Sequence, residues 1–195
     1  MPRLNITGFA GSLSTPSRSR ALVETAVGLA SARFGAASHV FDLNDLGPSL
    51  GTARSLGDLD PKALVHVSAL LRADALVIAS PVEKGSYGGL FKHLMDLIDP
   101  GLLAGKPVLL AATGGGDRHA LMIEHHLRPL FAYFDAQVLA TGVHAAERDF
   151  LGTRLAGEAT RARLVRAVGQ LAPFLSPRVA SEPDAAVFAP ILRAL

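Results

Sequence analysis

The chain has no cysteine. That absence removes disulfides, thiolate zinc sites and iron–sulfur ligation together, and it fits an intracellular setting. No uncharged apolar run reaches about eighteen residues, the length that reads as a membrane span. Excess charge is also scarce: Lys and Arg outnumber Asp and Glu by 19 to 17, a formal net charge of +2. The basic residues do not gather along any stretch, so the electrostatic footprint of a nucleic-acid binder is missing. Met1-Pro2-Arg3 leads directly into strand-like sequence without a secretory leader pattern, and the cytoplasm is the expected location. No internal repeat is present.

What remains is a chain of 195 residues, 49% of them hydrophobic, enough for one sizeable core. Strand-like and helix-like segments alternate. Strands are expected at Leu4 to Phe9, His39 to Phe41, Ala75 to Ala79, Val108 to Ala112 and Val138 to Val143, although Asn5 and Thr7 make the first unusually polar. Helical stripes follow the 3.6-residue period: Leu22, Ala26, Leu29 and Ala30, and later Leu90, Leu94, Leu97 and Ile98. A helix opens at Pro61, where the missing N–H costs nothing, and residues 43–60 read mostly as loop. Ile123, Leu127, Leu130, Phe131 and Phe134 stripe a fourth helix, and Pro129 inside it predicts a kink or wide turn. Leu164, Val168, Leu171 and Leu175 form the last stripe. The expected domain is residues 1–175, with a tail from Ser176 to Leu195.

This alternation predicts an α/β fold, a doubly wound parallel sheet of five strands with helices on both faces. Such sheets bind ligands beyond the carboxyl ends of their strands, which directs attention to three loops. The first, "GSLSTPSRS" (11–19), follows a strand and opens a helix. Gly11 permits a sharp turn. Ser12, Ser14, Thr15, Ser17 and Ser19 offer hydroxyls, the helix start offers unpaired N–H groups, and Arg18 adds a forked cation. Two readings stand side by side: a phosphate cup, or a serine-rich loop whose Ser17 or Ser19 merely caps the helix. Neither the P-loop motif nor the dinucleotide G-x-G-x-x-G motif occurs, so a terminal monoester suits the loop better than a pyrophosphate. The second loop is "SPVEKGSYGG" (80–89) and the third "TGGGDRH" (113–119), whose glycines bring bare backbone amides near a ligand. Asp117 is placed to cap the fourth helix, and Tyr87 and Phe91 are expected at a subunit interface or along the slot.

Segments "PSRS" (16–19), "SPVEKGSYGGLFKHLMDLID" (80–99) and "KPVLLAATGGGDRHALMIEHHLRPLFAYFDAQ" (106–137) are similar to those of NAD(P)H-dependent FMN reductases from two-component alkanesulfonate and methanesulfonate monooxygenase systems. The resemblance runs from about Arg3 to Phe150. It implies a flavodoxin-like fold with FMN at the strand edge and NADPH or NADH as reductant. By position, Ser12, Ser17, Arg18 and Ser19 would hold the phosphate. Pro81, Val82, Glu83 and Lys84 would pass beside the isoalloxazine, and Thr113, Gly114 and Gly115 would give amides to its pyrimidine side. It further implies homodimers or homotetramers through the third and fourth helices, and delivery of reduced FMN to a partner monooxygenase. The family usually carries tyrosine where this chain has Glu83. A carboxylate facing the ring is expected to weaken FMN retention, unless only the backbone at 83 meets the flavin. Hydride transfer needs no general base, so no catalytic side chain is assigned. The alternatives are a quinone or azo reductase that keeps its FMN and a flavodoxin-like electron carrier.

Overall fold

The computed structural model describes residues 4–175; the tail expected from Ser176 lies outside the described residues. Strands β1 (Asn5–Ala10), β2 (Ala37–Asp42), β3 (Ala75–Pro81) and β4 (Pro107–Gly114) pair in parallel. Two short strands, β5 (Gln137–Val138) and β6 (Val143–Ala146), both lie along β4. The order β2-β1-β3-β4-β5 is that of a flavodoxin-like, doubly wound sheet.

Alternation along the strands divides the core. In β3, Ala75, Val77 and Ala79 face α1 (Arg18–Phe34) and α5 (Glu158–Gly169). Leu76 and Ile78 face the opposite layer, α2 (Pro61–Arg72), α3 (Gly89–Asp96) and α4 (Arg128–Tyr133). Phe9 is fully buried between Phe41 and Phe91, with ring centroids 4.9 Å and 5.6 Å away. Burying such a ring contributes about 1.5–3 kcal/mol. Phe91 is therefore a core residue, not the interface residue expected from its sequence setting. Tyr87 is half-buried and packs on Phe91 and His126.

Thr7 is polar in β1 for a visible reason: its hydroxyl donates to the Ala69 carbonyl of α2 at 3.0 Å. The Asn5 backbone N–H donates to Asp74 at 2.7 Å. Gly8 lets α1 approach: a Cβ there would sit 2.3 Å from Val23 Cγ1 and 2.8 Å from Val27 Cγ2. The fourth helical stripe opens as one wide π turn over Ile123–Leu127, in which the Arg128 N–H reaches back five residues to the Ile123 carbonyl. Pro129 follows without a donor of its own, so the wide turn falls where the sequence placed it.

The fifth strand departs from expectation. The segment read as continuous from Val138 to Val143 is broken at Leu139 to Gly142, because side chains claim its backbone. Arg128 donates to the Leu139 and Ala140 carbonyls at 3.1 Å and 3.4 Å. Gln170 accepts from the Thr141 N–H at 3.0 Å, and Arg163 donates to the Gly142 carbonyl at 2.6 Å. A hairpin not expected from the sequence follows: β7 (Phe150–Leu151) and β8 (Arg154–Leu155), turning at Gly152 with φ of 62°. The short α6 (Ala172–Leu175) ends the described chain.

Candidate functional site

A crevice of about 620 Å³ opens beyond the carboxyl ends of β1, β3 and β4, within the range of about 300–1,000 Å³ typical of ligand pockets. The first loop gives it Ser12, Ser14, Pro16, Arg18 and Ser19. Pro81 and Val82 come from the second loop, and Thr113, Gly114 and Gly115 from the third. Of the residues expected from the sequence, all but Ser17, Glu83 and Lys84 line this one space. A fourth wall went unread: Ala145 and Glu147 beyond β6, and Gly152 and Thr153 at the hairpin turn. Its signal was available in "LGTRL", where Gly152-Thr153 is the Gly-x pair of a two-residue hairpin turn.

The first loop both caps and opens. Ser17 is the N-cap of α1, its hydroxyl accepting from the Arg20 N–H at 3.1 Å. That leaves the N–H groups of Arg18 and Ser19, at the first turn, without an intrahelical acceptor. The Ser12 hydroxyl accepts from the Ser14 N–H at 3.2 Å and keeps its own proton to donate. The Ser19 and Thr113 hydroxyls meet at 2.6 Å in a buried contact that ties α1 to the end of β4. Arg20 binds Asp42 and Asp45 at 2.9 Å and 2.6 Å, fastening the loop to the segment after β2. Those hydrogen bonds, Asp42 foremost, raise the Arg20 pKa further above its ordinary value.

Gly11 has no left-handed φ; its sharp-turn role gives way to a packing one. A Cβ there would lie 2.4 Å from Phe91 Cδ2. Gly114 is constrained in the same way, since its Cβ would lie 2.7 Å from His119 Nδ1. That nitrogen is buried and, among the described residues, has no hydrogen-bond partner. Beyond Gly114 the N–H groups of Gly115 and Gly116 have no protein acceptor among the described residues. Asp117 does not cap a helix: it receives a hydrogen bond from Arg148 at 2.5 Å, which holds its carboxyl below the usual 3.8. Burial pushes the nearby His144 below its usual 6.5, with Asp117 opposing.

The second loop folds away from the crevice at Glu83. Glu83 and Ser86 exchange backbone hydrogen bonds of 2.7 Å and 3.1 Å around Lys84 (φ 51°) and Gly85 (φ 92°). This is the primed turn of a tight hairpin, and it exposes the side chains of Glu83 and Lys84. The Ser86 hydroxyl is 3.2 Å from His126 Nδ1.

The donor set fits a flavin mononucleotide. Helix-start amides, hydroxyls and Arg18 of the first loop border the same space as the third-loop residues Thr113, Gly114 and Gly115 and the apolar Pro81 and Val82. The family described as NADPH-dependent FMN reductase matches residues 4–150. The chain is 41% identical over 171 residues to a NADH-dependent FMN reductase, SfnF, of Pseudomonas fluorescens, covering 88% of this chain and 91% of that one. It is 39% identical to an FMN reductase (NADPH) of Pseudomonas aeruginosa, covering 89% and 93%. Among solved structures, an oxidoreductase of Corynebacterium diphtheriae superposes with a TM-score of 0.75 at 38% identity, covering 89% of this chain and 97% of that one.

Proposed function

The chain belongs to the NADPH-dependent FMN reductase family, and on that premise we propose that its crevice seats FMN, with the phosphate in the first loop and the ring across the second and third. The observation that carries this reading is the convergence of Ser12, Arg18, Ser19, Thr113, Gly114 and Gly115 on one space at the strand ends. Bound FMN supplies the hydride-accepting ring, and NAD(P)H the hydride. The protein's part is placement. Pro81 and Val82 form an apolar wall for the ring, while the third-loop amides offer donors to the negative charge that reduction creates. Holding two flat partners in register contributes several kcal/mol, on the order of 7–11 in the best cases.

The reductant has a natural approach beside the same wall. A hollow of about 210 Å³ shares Val82 with the crevice and is lined by Arg118, His119, His125 and His126 together with Leu121 and Met122. An arginine and three hydrogen-bonding imidazoles beside an apolar patch suit the phosphates and adenine of a pyridine nucleotide. The relatives are named for NADH and for NADPH alike, so the reductant is NAD(P)H. Reduced FMN would then leave for a partner monooxygenase in the cytoplasm, where NAD(P)H is available. A homodimer or homotetramer is supported by the 73% exposed Tyr133 and by the hollow it shares with Met95, Ile98 and Leu130.

Steady-state kinetics tests the reading. NAD(P)H oxidation by the purified protein should saturate with added FMN. A yellow protein whose rate ignores added FMN would instead be a reductase that retains its flavin. Crystals soaked in FMN should show the phosphate against Ser12, Arg18 and Ser19.

A further inference from the structure

We infer that Glu147 weakens the hold of the crevice on a phosphate ester by competing for Arg18, so that FMN remains a dissociable substrate. The inference rests on the flavin reading above and deepens it. Among the described residues lining the crevice, Arg18 is the only lysine or arginine. Its Nη2 donates to Glu147 Oε1 at 2.7 Å, and both side chains line the same space.

Glu147 is an exposed carboxylate on a well-held backbone. It sits in a tight turn, Glu147–Asp149. The Asp149 carboxylate accepts from the Ala146 N–H at 2.8 Å, and the Asp149 carbonyl accepts from Ala156 and Gly157. Arg148, next in the chain, is bound to Asp117 on the third loop. The backbone under Glu147 is thus anchored on both sides, which keeps its side chain within reach of the rim.

An incoming dianion therefore meets a cation that is already neutralised. To take Arg18 through Nη2, the phosphate must displace Glu147, and binding through the remaining N–H groups still places it near the carboxylate. The pair is partly exposed, with side chains 44% and 61% accessible, so it breaks easily. The lasting effect is like-charge repulsion across the rim. Helix-start amides and hydroxyls still bind the phosphate, but without a net positive side-chain charge behind them.

Glu147→Gln tests this, because it keeps the shape and removes the charge. FMN and riboflavin are titrated against both proteins at low and high salt. The variant should bind FMN roughly three- to tenfold more tightly, bind riboflavin as the wild type does, and show a steeper loss of FMN affinity with salt. Unchanged or weaker FMN binding by the variant overturns the inference, and weaker binding would mean that Glu147 positions Arg18 for the phosphate. Equal tightening for riboflavin also overturns it, because the effect would not concern the phosphate. A wild type that binds neither compound brings down the flavin reading itself, and this inference with it.

Discussion

Replacing Gly11 with alanine places a methyl group where Phe91 already stands. The new Cβ would lie 2.4 Å from Phe91 Cδ2 and 3.0 Å from both its Cβ and its Cγ. Carbon atoms in ordinary contact are about 3.5–4.0 Å apart, so the ring must retreat by about 1 Å. Turning the ring does not suffice, because the clash includes Phe91 Cβ; the α3 backbone has to shift. Phe91 is wholly buried against Phe9, which stacks in turn on Phe41, so the shift spreads into the core. Overpacking of this kind costs about 1–3 kcal/mol. At about 2–4 °C per kcal/mol for a chain of this length, Tm should fall by roughly 2–12 °C. Thermal and urea unfolding followed by far-ultraviolet circular dichroism measures the loss, with the urea m value unchanged. The decisive comparison adds Phe91→Leu. If the clash is the cause, the double variant should be more stable than the sum of the singles requires, by about 1 kcal/mol or more. Strict additivity, or a Gly11→Ala protein as stable as the wild type, would refute the packing argument.

Glu83→Tyr should leave the FMN dissociation constant unchanged, since the primed turn directs that side chain away from the crevice; equilibrium titration with FMN checks it, and tighter binding would restore the idea that Glu83 faces the ring. Ser19→Ala and Thr113→Val each strand a buried hydroxyl and should cost about 1–3 kcal/mol, whereas the double variant should lie close to the wild type; urea unfolding of the four proteins closes the cycle. Burial holds His144 and His39 below the usual 6.5. As pH falls through that value the unfolded chain takes up protons before the native one, so unfolding free energy should fall from neutral pH toward the lowered native values and level off below them. Urea unfolding across this window in wild type and His144→Gln should show a shallower decline in the variant.

The order of elements was legible because Ala75 to Ala79 and Val108 to Ala112 are apolar throughout and the helices keep their stripes. Pro129 announced the wide turn through a simple absence, its missing donor. The split of the fifth strand was not legible, because Arg128, Arg163 and Gln170 act on it from 11 to 29 residues away in sequence. The three loops were found from strand ends and glycines. The reasons for those glycines were not, since the clash at Gly11 depends on Phe91 and the one at Gly114 on His119. Glu147 escaped notice because its partner, Arg18, lies 129 residues away, and an isolated glutamate after a short strand carries no local signal.

The interruption of the fifth strand also bears on self-association. An unbroken outer strand presents a row of free donors and acceptors on which a stray chain can template. Here side chains engage the carbonyls of Leu139, Ala140 and Gly142 and the N–H of Thr141, so a newcomer finds no continuous register to zip against. Any strand-by-strand growth would have to begin at the opposite margin of the sheet, along β2.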